Sequence, residues 1–308
     1  MKTLITGGTG FAGRHLAAHC ADAGDDVVVL ARSEGVDLLD AEQTQRVVAD
    51  AAPDVVYHLA AQAHVGRSWT DPATTLRDNV GMAANVFEAV RAGAPDATVL
   101  FVSSGEVYGR PETLPLTETA PLRPQNPYAV SKAASDLLAR FYADAHGLRV
   151  VIARAFNHSG PGQEPIYAIA NFARQIAAGP HVITGNPETR RDYTDVRDVV
   201  RAYRLLAQSG EAGEAYNVCS GATASARELV ALLAELDGIA ADHEVDPSLV
   251  RAHEVMEVRG SADKLRAVTG WEPQIALADT LRDTVAWWRA IRAPPAATPG
   301  PGLEPGTP

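Results

Sequence analysis

The stretch TGGTGFAG, residues 6–13, follows directly on the apolar run KTLIT and opens a helical pattern, with glycines at 7, 10 and 13. No other feature of the chain restricts its fold so strongly. Glycine permits a tight strand-to-helix turn and a close approach of phosphate to backbone, while the helix start offers unpaired amides to a pyrophosphate. Thr6, Gly7, Gly10, Phe11, Ala12 and Gly13 are therefore predicted to hold a dinucleotide. The second strand should end near residue 30, where folds that prefer NAD place an acid on the adenosine ribose. Here the chain reads Leu30, Ala31, Arg32, Ser33. Arg32 suits a 2′-phosphate, which favours NADPH, with NADH still open because Glu34 is close. Asp37 and Leu38 are candidates for the adenine contact.

Beyond that turn, short β-branched runs alternate with longer helical stretches. KTLIT (2–6), DVVVL (26–30), DVVYHLA (54–60), ATVLFVS (97–103) and LRVVIARAF (148–156) read as strands buried on both faces. Asp71-Pro72 combines an N-cap with a first-turn proline; Leu76, Val80, Ala83, Phe87 and Val90 follow at helical spacing, and Gly93 is placed as the terminating glycine. Asn126-Pro127 opens another helix in the same way. The alternation predicts an α/β fold built on a Rossmann-type, doubly wound parallel sheet with right-handed crossovers. After about residue 158 the glycine- and proline-rich SGPGQEP breaks the pattern. The chain is expected to rejoin the sheet around DYTDVRDVVRAYRLL and AYNVCSG, then leave through a capping box at Ser225 and Glu228. That gives a nucleotide domain from residues 1–158 plus about 192–221, and a smaller α/β substrate-binding lobe from C-terminal segments, about 159–191 plus 222–292. Residues 293–308, dominated by proline, glycine and alanine, are expected to form a disordered tail.

Composition narrows the function by exclusion. With 308 residues and 46% hydrophobic content, the chain reads as an ordinary soluble protein with ample material for a core. A net charge of −11 and the lack of any lysine or arginine run speak against a nucleic-acid surface. An anionic ligand must then be held by a few local arginines. Cys20 and Cys219 lie far apart without C-x-x-C spacing, which fits a reducing cytoplasm better than a disulfide scaffold or a zinc site. His15 and His19 have helical spacing, but no glutamate follows the first, so no H-E-x-x-H motif arises and no metal is expected. The apolar run in MKTLITGG stops too soon for a signal segment or a membrane span.

The chemistry is carried by NPYAVSK (126–132) and SSGEVYG (103–109). Tyr128 and Lys132 are four apart near a helix start and project from one face. An ammonium there would draw the phenol down from its ordinary pKa of about 10. Ser104 falls at the carboxyl end of a strand, where α/β sheets place ligands, and can hydrogen-bond the same oxygen as Tyr128. Glu106 is either a base that takes a proton from carbon or a polar neighbour of the serine.

Together the glycine loop, HLAAQ (58–62), Asn79, SSGEVYG and the Y-x-x-x-K pair make the chain resemble the extended short-chain dehydrogenase/reductases from residue 1 to about 290. The resemblance implies that Ser104 is the catalytic hydroxyl and Tyr128 the acid/base. It implies further that Lys132 also holds the nicotinamide ribose, that Asn79 supports the site from its helix, and that Leu59, Ala60 and Ala61 line the cofactor. A homodimer formed through two helices per subunit is implied as well, with 71–92 and 127–146 as the candidates.

Four longer stretches, VGRSWTDP (65–72), RAFNHSGPGQ (154–163), RRDYTDVRDVVRAYRLL (190–206) and YNVCSG (216–221), are similar to the GDP-6-deoxy-4-keto-mannose reductases within that family. By that similarity Asn157, Arg191 and Arg251 hold the diphosphate of a nucleotide sugar, and His64, Arg67 and Gln163 reach the sugar. RAHEVMEV (251–258) keeps an arginine and an acid but lacks the prolines expected of those reductases. The implied activity is hydride transfer from NADPH to the C4 ketone of a 4-keto-6-deoxyhexose carried on GDP or dTDP. One rival is a 4,6-dehydratase with Glu106 as base, although the neighbouring Gly105 offers no side-chain acid. A 4-epimerase, which keeps NAD bound through turnover, is a second. A protein that only senses NADP would have no use for Ser104, Tyr128 and Lys132.

Overall fold

The computed structural model describes residues 1–250 and 254–292, so Arg251 and the stretch 293–308 lie outside the described residues. In chain order the first part runs β1 (Lys2–Thr6), α1 (Phe11–Asp22), β2 (Asp26–Leu30), α2 (Ala41–Ala51), β3 (Val55–His58), α3 (Val65–Thr70), α4 (Pro72–Gly93), β4 (Thr98–Ser104), α5 (Pro127–His146) and β5 (Val150–Ala155). It continues through β6 (Asn157–Ser159), α6 (Ala168–Ile176), β7 (His181–Thr184), β8 (Arg190–Asp195), α7 (Val196–Ser209), β9 (Ala215–Val218), β10 (Thr223–Ser225), α8 (Ala226–Asp237), β11 (Asp242–Val245), β12 (Glu257–Val258), α9 (Asp263–Thr269) and α10 (Leu277–Arg292).

Six strands form the central sheet in the order β2-β1-β3-β4-β5-β9, and every neighbouring pair is parallel. Parallel strands need crossovers, and helices on both faces bury the sheet; hence the unbroken burial along β3 and β5. Leu16 of α1 and Val199 and Tyr203 of α7 pack on one face, while Val48 of α2, Phe87 of α4 and Tyr142 of α5 pack on the other. The chain runs outward from β1 to β2 and returns to the far side of β1 with β3. That reversal opens a crevice at the carboxyl ends of β1 and β3, the place where such sheets receive ligands.

Local chemistry sets the helix starts. The Asp71 carboxylate accepts the Thr74 amide at 3.3 Å, and the Asn126 side chain accepts the Ala129 amide at 2.8 Å, each just before a first-turn proline. Ser225 and Glu228 make the reciprocal capping box on α8. Gly93 differs from the sequence expectation: it is the last helical residue of α4, and Ala94 caps the helix. Its lack of a side chain serves packing, since a Cβ there would stand 3.2 Å from that of Ala49 on α2.

The later segments build a second set of strands. β8 pairs in parallel with β6 and β12 and antiparallel with β10, and β7 pairs with β11. A third apolar cluster joins Ile169 and Phe172 of α6, Val182 of β7, Leu229 and Leu233 of α8 and Leu281 of α10. The return to the main sheet, read from the sequence as starting at residue 192, is made by α7 and β9; β8 itself stays in the smaller sheet. Its burial is broken: Arg190, Arg191 and Tyr193 are half-buried, while Asp192, Thr194 and Asp195 are buried.

Candidate active site

The nucleotide end of the crevice is made of backbone. Gly7 adopts a φ of +70°, and a Cβ on it would lie 2.8 Å from the amide nitrogen of Ala60. A Cβ on Gly13 would lie 2.6 Å from the Cα of Gly8 and run into the Gly7 carbonyl. The β1-to-α1 turn thus closes down on itself and on the end of β3, a packing open only to glycine. Leu59 donates its amide to the Thr6 carbonyl at 3.2 Å, and Ala60 donates to the Thr6 hydroxyl at 3.2 Å. That hydroxyl also meets His58 Nδ1 at 2.8 Å, and burial pushes His58 down to about 3, so the imidazole is neutral. Gly10 caps α1 without any side-chain bond, and Phe11 and Ala12 begin a first turn that carries no acid. The leading amides of α1 are therefore available to an anion.

Arg32 stands just past β2, paired with Asp37 at 3.2 Å; both side chains are open to solvent, at 69% and 49% exposure. An exposed pair of this kind is weak, so the guanidinium is free to turn to a 2′-phosphate. Leu38, expected at the adenine, is drawn into the core at 6% exposure, and its carbonyl accepts from Asn85 at 2.8 Å. The neighbouring Asp37 remains at the surface. The tight glycine cradle, the helix start without a side-chain cap and the exposed arginine suit a dinucleotide. Ala61 continues the segment beside them. Next to it, both amide atoms of Gln62 are buried without a hydrogen-bond partner, a residue that the sequence marked only as part of HLAAQ. Polar atoms buried in this way call for a ligand group.

The reacting groups gather where β4 ends against the start of α5. Ser104 closes β4, and its hydroxyl accepts the Glu106 amide at 3.2 Å at the mouth of a short helical turn. Tyr128, in the first turn of α5, is 9% exposed, and burial pushes its phenol well above the ordinary value, opposed by a hydrogen bond with Ser104. Lys132 is buried one turn further on, and burial alone lowers it to about 8. Its ammonium donates to the Val102 carbonyl at 2.7 Å and lies 5.1 Å from the centre of the Phe101 ring. The expectation that this ammonium depresses the phenol is thus corrected. A buried cation takes the nearest acceptor, here a strand carbonyl, and desolvation dominates the tyrosine. The consequence is a Tyr128 that holds its proton at neutral pH.

Two polar residues frame this cluster. Asn79 accepts the Gln62 amide at 2.7 Å and donates to the Gln62 carbonyl and to Ser131 Oγ, at 3.2 and 2.8 Å. Ser131 in turn donates to the Tyr128 carbonyl at 2.7 Å. Asn79 therefore ties the end of β3 to the first turn of α5, acting by position. Glu106 accepts from Asn126 Nδ2 at 3.0 Å, next to the start of the same helix, and its charge reaches Tyr128.

The remaining candidate residues are side chains from several elements. Ser104 is in register with Ala155, and two residues on, Asn157 of β6 pairs with Tyr193 of β8 through backbone register and a side-chain bond. Arg190 is locked by Glu228 at 2.8 Å and by Thr223. Arg191, by contrast, forms no ion pair with another described residue, and its side chain donates to the Arg190 carbonyl at 2.8 Å. His64 caps α3, its Nδ1 accepting the Arg67 amide at 3.0 Å, while the Arg67 side chain is exposed. Gln163 departs from the expected sugar contact. It is 6% exposed, its Oε1 accepts from Ser159 at 2.6 Å and its Nε2 donates to the His158 carbonyl at 2.9 Å. The loop it spans has two glycines and no regular structure, so its polar groups consume that amide. Among the described residues no group of three His, Cys, Asp or Glu side chains gathers around a metal position.

The profile of the NAD dependent epimerase/dehydratase family matches residues 3–219 of this sequence. The chain belongs to that family. Among its relatives, the GDP-6-deoxy-D-mannose reductase of Pseudomonas aeruginosa is 38% identical, over 94% of this chain and 97% of the relative. A dTDP-glucose 4,6-dehydratase from Streptomyces griseus is 36% identical over 94% of each. The solved structure of RMD from Pseudomonas aeruginosa complexed with NADPH superposes with a TM-score of 0.87 at 38% identity, covering 94% of this chain and all of that one. Family members that differ in reaction thus share much of this sequence, with the reductase ahead in both sequence and structure among these relatives.

Proposed function

We propose that the protein is an NADPH-dependent reductase of the C4 ketone in a nucleotide-linked 4-keto-6-deoxyhexose, carried on GDP or dTDP, with NADH as a second possible donor. The observation that carries this reading is Tyr128 buried beside Ser104, with Gly105 leaving Glu106 without a neighbouring side-chain acid. When bound, the dinucleotide supplies the hydride for the sugar C4. Ser104 and Tyr128 hold the carbonyl oxygen, and Tyr128 gives it a proton as the C=O bond becomes an alcohol. Positioned acid catalysis of this kind contributes about 10²- to 10⁴-fold. Lys132 fixes the ribose beside the phenol, and Asn79 keeps both helix and crevice in place. Asn157, Arg191 and Arg251 take the diphosphate, with bidentate arginine as the charge that an acidic protein otherwise lacks. His64 and Arg67 face the sugar.

The division into a nucleotide domain, 1–158 with about 192–221, and a substrate lobe from the remaining C-terminal segments is part of this reading. So is a homodimer built on α4 and α5, supported by Val130, Leu137 and Phe141 of α5, which are 40%, 60% and 52% exposed. Two free, buried cysteines support a cytoplasmic setting. No helix among the described residues is long and apolar enough to cross a membrane.

The test is NADPH oxidation with GDP- and dTDP-4-keto-6-deoxyhexoses side by side, with the C4 hydroxyl of the product identified. Oxidation with at least one of them is expected; no oxidation with either, together with water loss from an unmodified nucleotide hexose, would favour the dehydratase reading that Glu106 and the Streptomyces griseus relative keep alive.

A further inference from the structure

We propose that Phe156 fixes the reaction class of this site by filling the place beside Gly105 where a second acid would stand. The proposal rests on the ketoreductase reading above. Gly105 lies between Ser104 and Glu106, buried in the turn that follows β4. A Cβ built on it meets the Phe156 ring at 3.1 Å from Cγ and Cδ2 and 3.2 Å from Cε2. The ring has little freedom to give way. A Cβ at 105 would need the ring to give by a few tenths of an ångström, and its tip is held on the far side, where a Cβ on Gly260 would come within 2.7 Å of Cζ. Phe156 is 5% exposed, and its ring lies 6.3 Å from that of Tyr108. Its amide donates to the Val218 carbonyl at 2.9 Å, and its carbonyl accepts from His158 Nδ1 at 3.1 Å.

Ring and turn are therefore one packed unit. Aspartate at 105 would press its Cβ against the ring, and either the ring or the turn carrying Ser104 and Glu106 would have to move. Packed interiors resist such additions. Loss of water across C5 and C6 of a 4-keto sugar needs a base for the C5 proton and an acid for the departing C6 hydroxyl. Glu106 can serve as the base, but a side chain at 105 that could carry the acid meets the ring at its first carbon. Ketone reduction needs one hydride and one proton, and Tyr128 provides the proton. Phe156 is thus a positioning residue that acts through Gly105.

The experiment is a double-mutant cycle of Gly105→Asp and Phe156→Ala, read as kcat for ketone reduction at saturating NADPH and nucleotide sugar, with NADPH affinity measured in parallel. Gly105→Asp alone is expected to lose roughly 100-fold, and Phe156→Ala alone less than about tenfold. The pair is expected to regain at least about tenfold over Gly105→Asp, a coupling typical of residues in contact. NADPH affinity stays within about threefold in all of them, because the glycine cradle is untouched. Full activity in Gly105→Asp, or losses that simply multiply in the pair, would overturn the proposal. If Gly105→Asp does not fold, Gly105→Ala gives the same test with an expected loss of about threefold, relieved by Phe156→Ala. Failure of the wild-type protein to reduce any 4-keto-6-deoxyhexose would instead indict the functional reading.

Discussion

The two walls of the crevice are built from different materials. On the nucleotide side, backbone does the work: the turn of residues 6–13 folds so tightly on itself and on Ala60 that added methyl groups would collide. On the other side, the residues proposed for the nucleotide sugar are side chains carried at β6, α3 and β8, with Asn157 set against Tyr193 by the pairing of the two strands. A wall made of backbone is specified by a few adjacent residues and tolerates almost no change within them. A wall made of side chains is specified by long-range pairing and can be retuned one residue at a time, which suits a family whose members differ in sugar and in reaction.

Changes at the seam, and then on each wall, can break this contrast. The largest effect belongs to Tyr128, where both walls meet. Tyr128→Phe should lower kcat by about 10³-fold while NADPH binding changes little, whereas Glu106→Gln should stay within about tenfold of wild type. Near-total loss in Glu106→Gln with folding intact would move the chemistry to that carboxylate. On the nucleotide wall, Gly13→Ala should weaken NADPH by about 100-fold, measured by fluorescence titration, because its methyl group meets backbone that cannot yield. On the sugar wall, Arg191→Ala should raise the KM for the nucleotide sugar about 30-fold and leave NADPH affinity alone, as expected for a lost charged hydrogen bond. A matching loss in NADPH binding would show that the walls are not independent.

A smaller effect is expected from pH. Lys132, lowered by burial to about 8, is charged below that value and neutral above it. Tyr128, raised by burial, keeps its proton across the same range. The kcat/KM of the free enzyme should therefore fall by about tenfold per unit as pH rises beyond about 8, and a flat profile to pH 10 would remove the ammonium from the mechanism. The smallest effect is at Arg32, whose exposed pair with Asp37 holds it loosely. Arg32→Ala should shift preference from NADPH toward NADH by about fivefold, read as the ratio of the two kcat/KM values.

The same contrast explains what was legible in the sequence. The strands β1 to β5, the caps Asp71, Asn126 and Ser225 and the glycine cradle are local patterns, and each was readable from its own residues. Ser104, Tyr128, Lys132 and Asn79 converge because each lies at the end or on the inner face of such an element. Gln163 was read through its place in a motif, but its amide is used by the loop around it, a fact that depends on Ser159 and His158 folding back. Leu38 was named with Asp37 for the adenine, and its side chain lies in the core, which local spacing did not show. The effect of Lys132 on Tyr128 was misjudged for a similar reason. Spacing shows two groups on one helix face, but not the Val102 carbonyl that competes for the ammonium. Gln62 and Phe156 carried no sequence signal of their own, because an orphaned amide and a ring against a glycine exist only in three dimensions.

The central claim is that hydride passes from outside the sugar to its C4 and remains there. Turnover of a 4-keto-6-deoxyhexose nucleotide with NADPH deuterated at its transferable position, followed by NMR of the product, tests it directly. Deuterium at C4 of a reduced 6-deoxyhexose is the predicted result. Unlabelled product, or a nucleotide hexose that loses water while its own C4 hydrogen moves to C6, would contradict it.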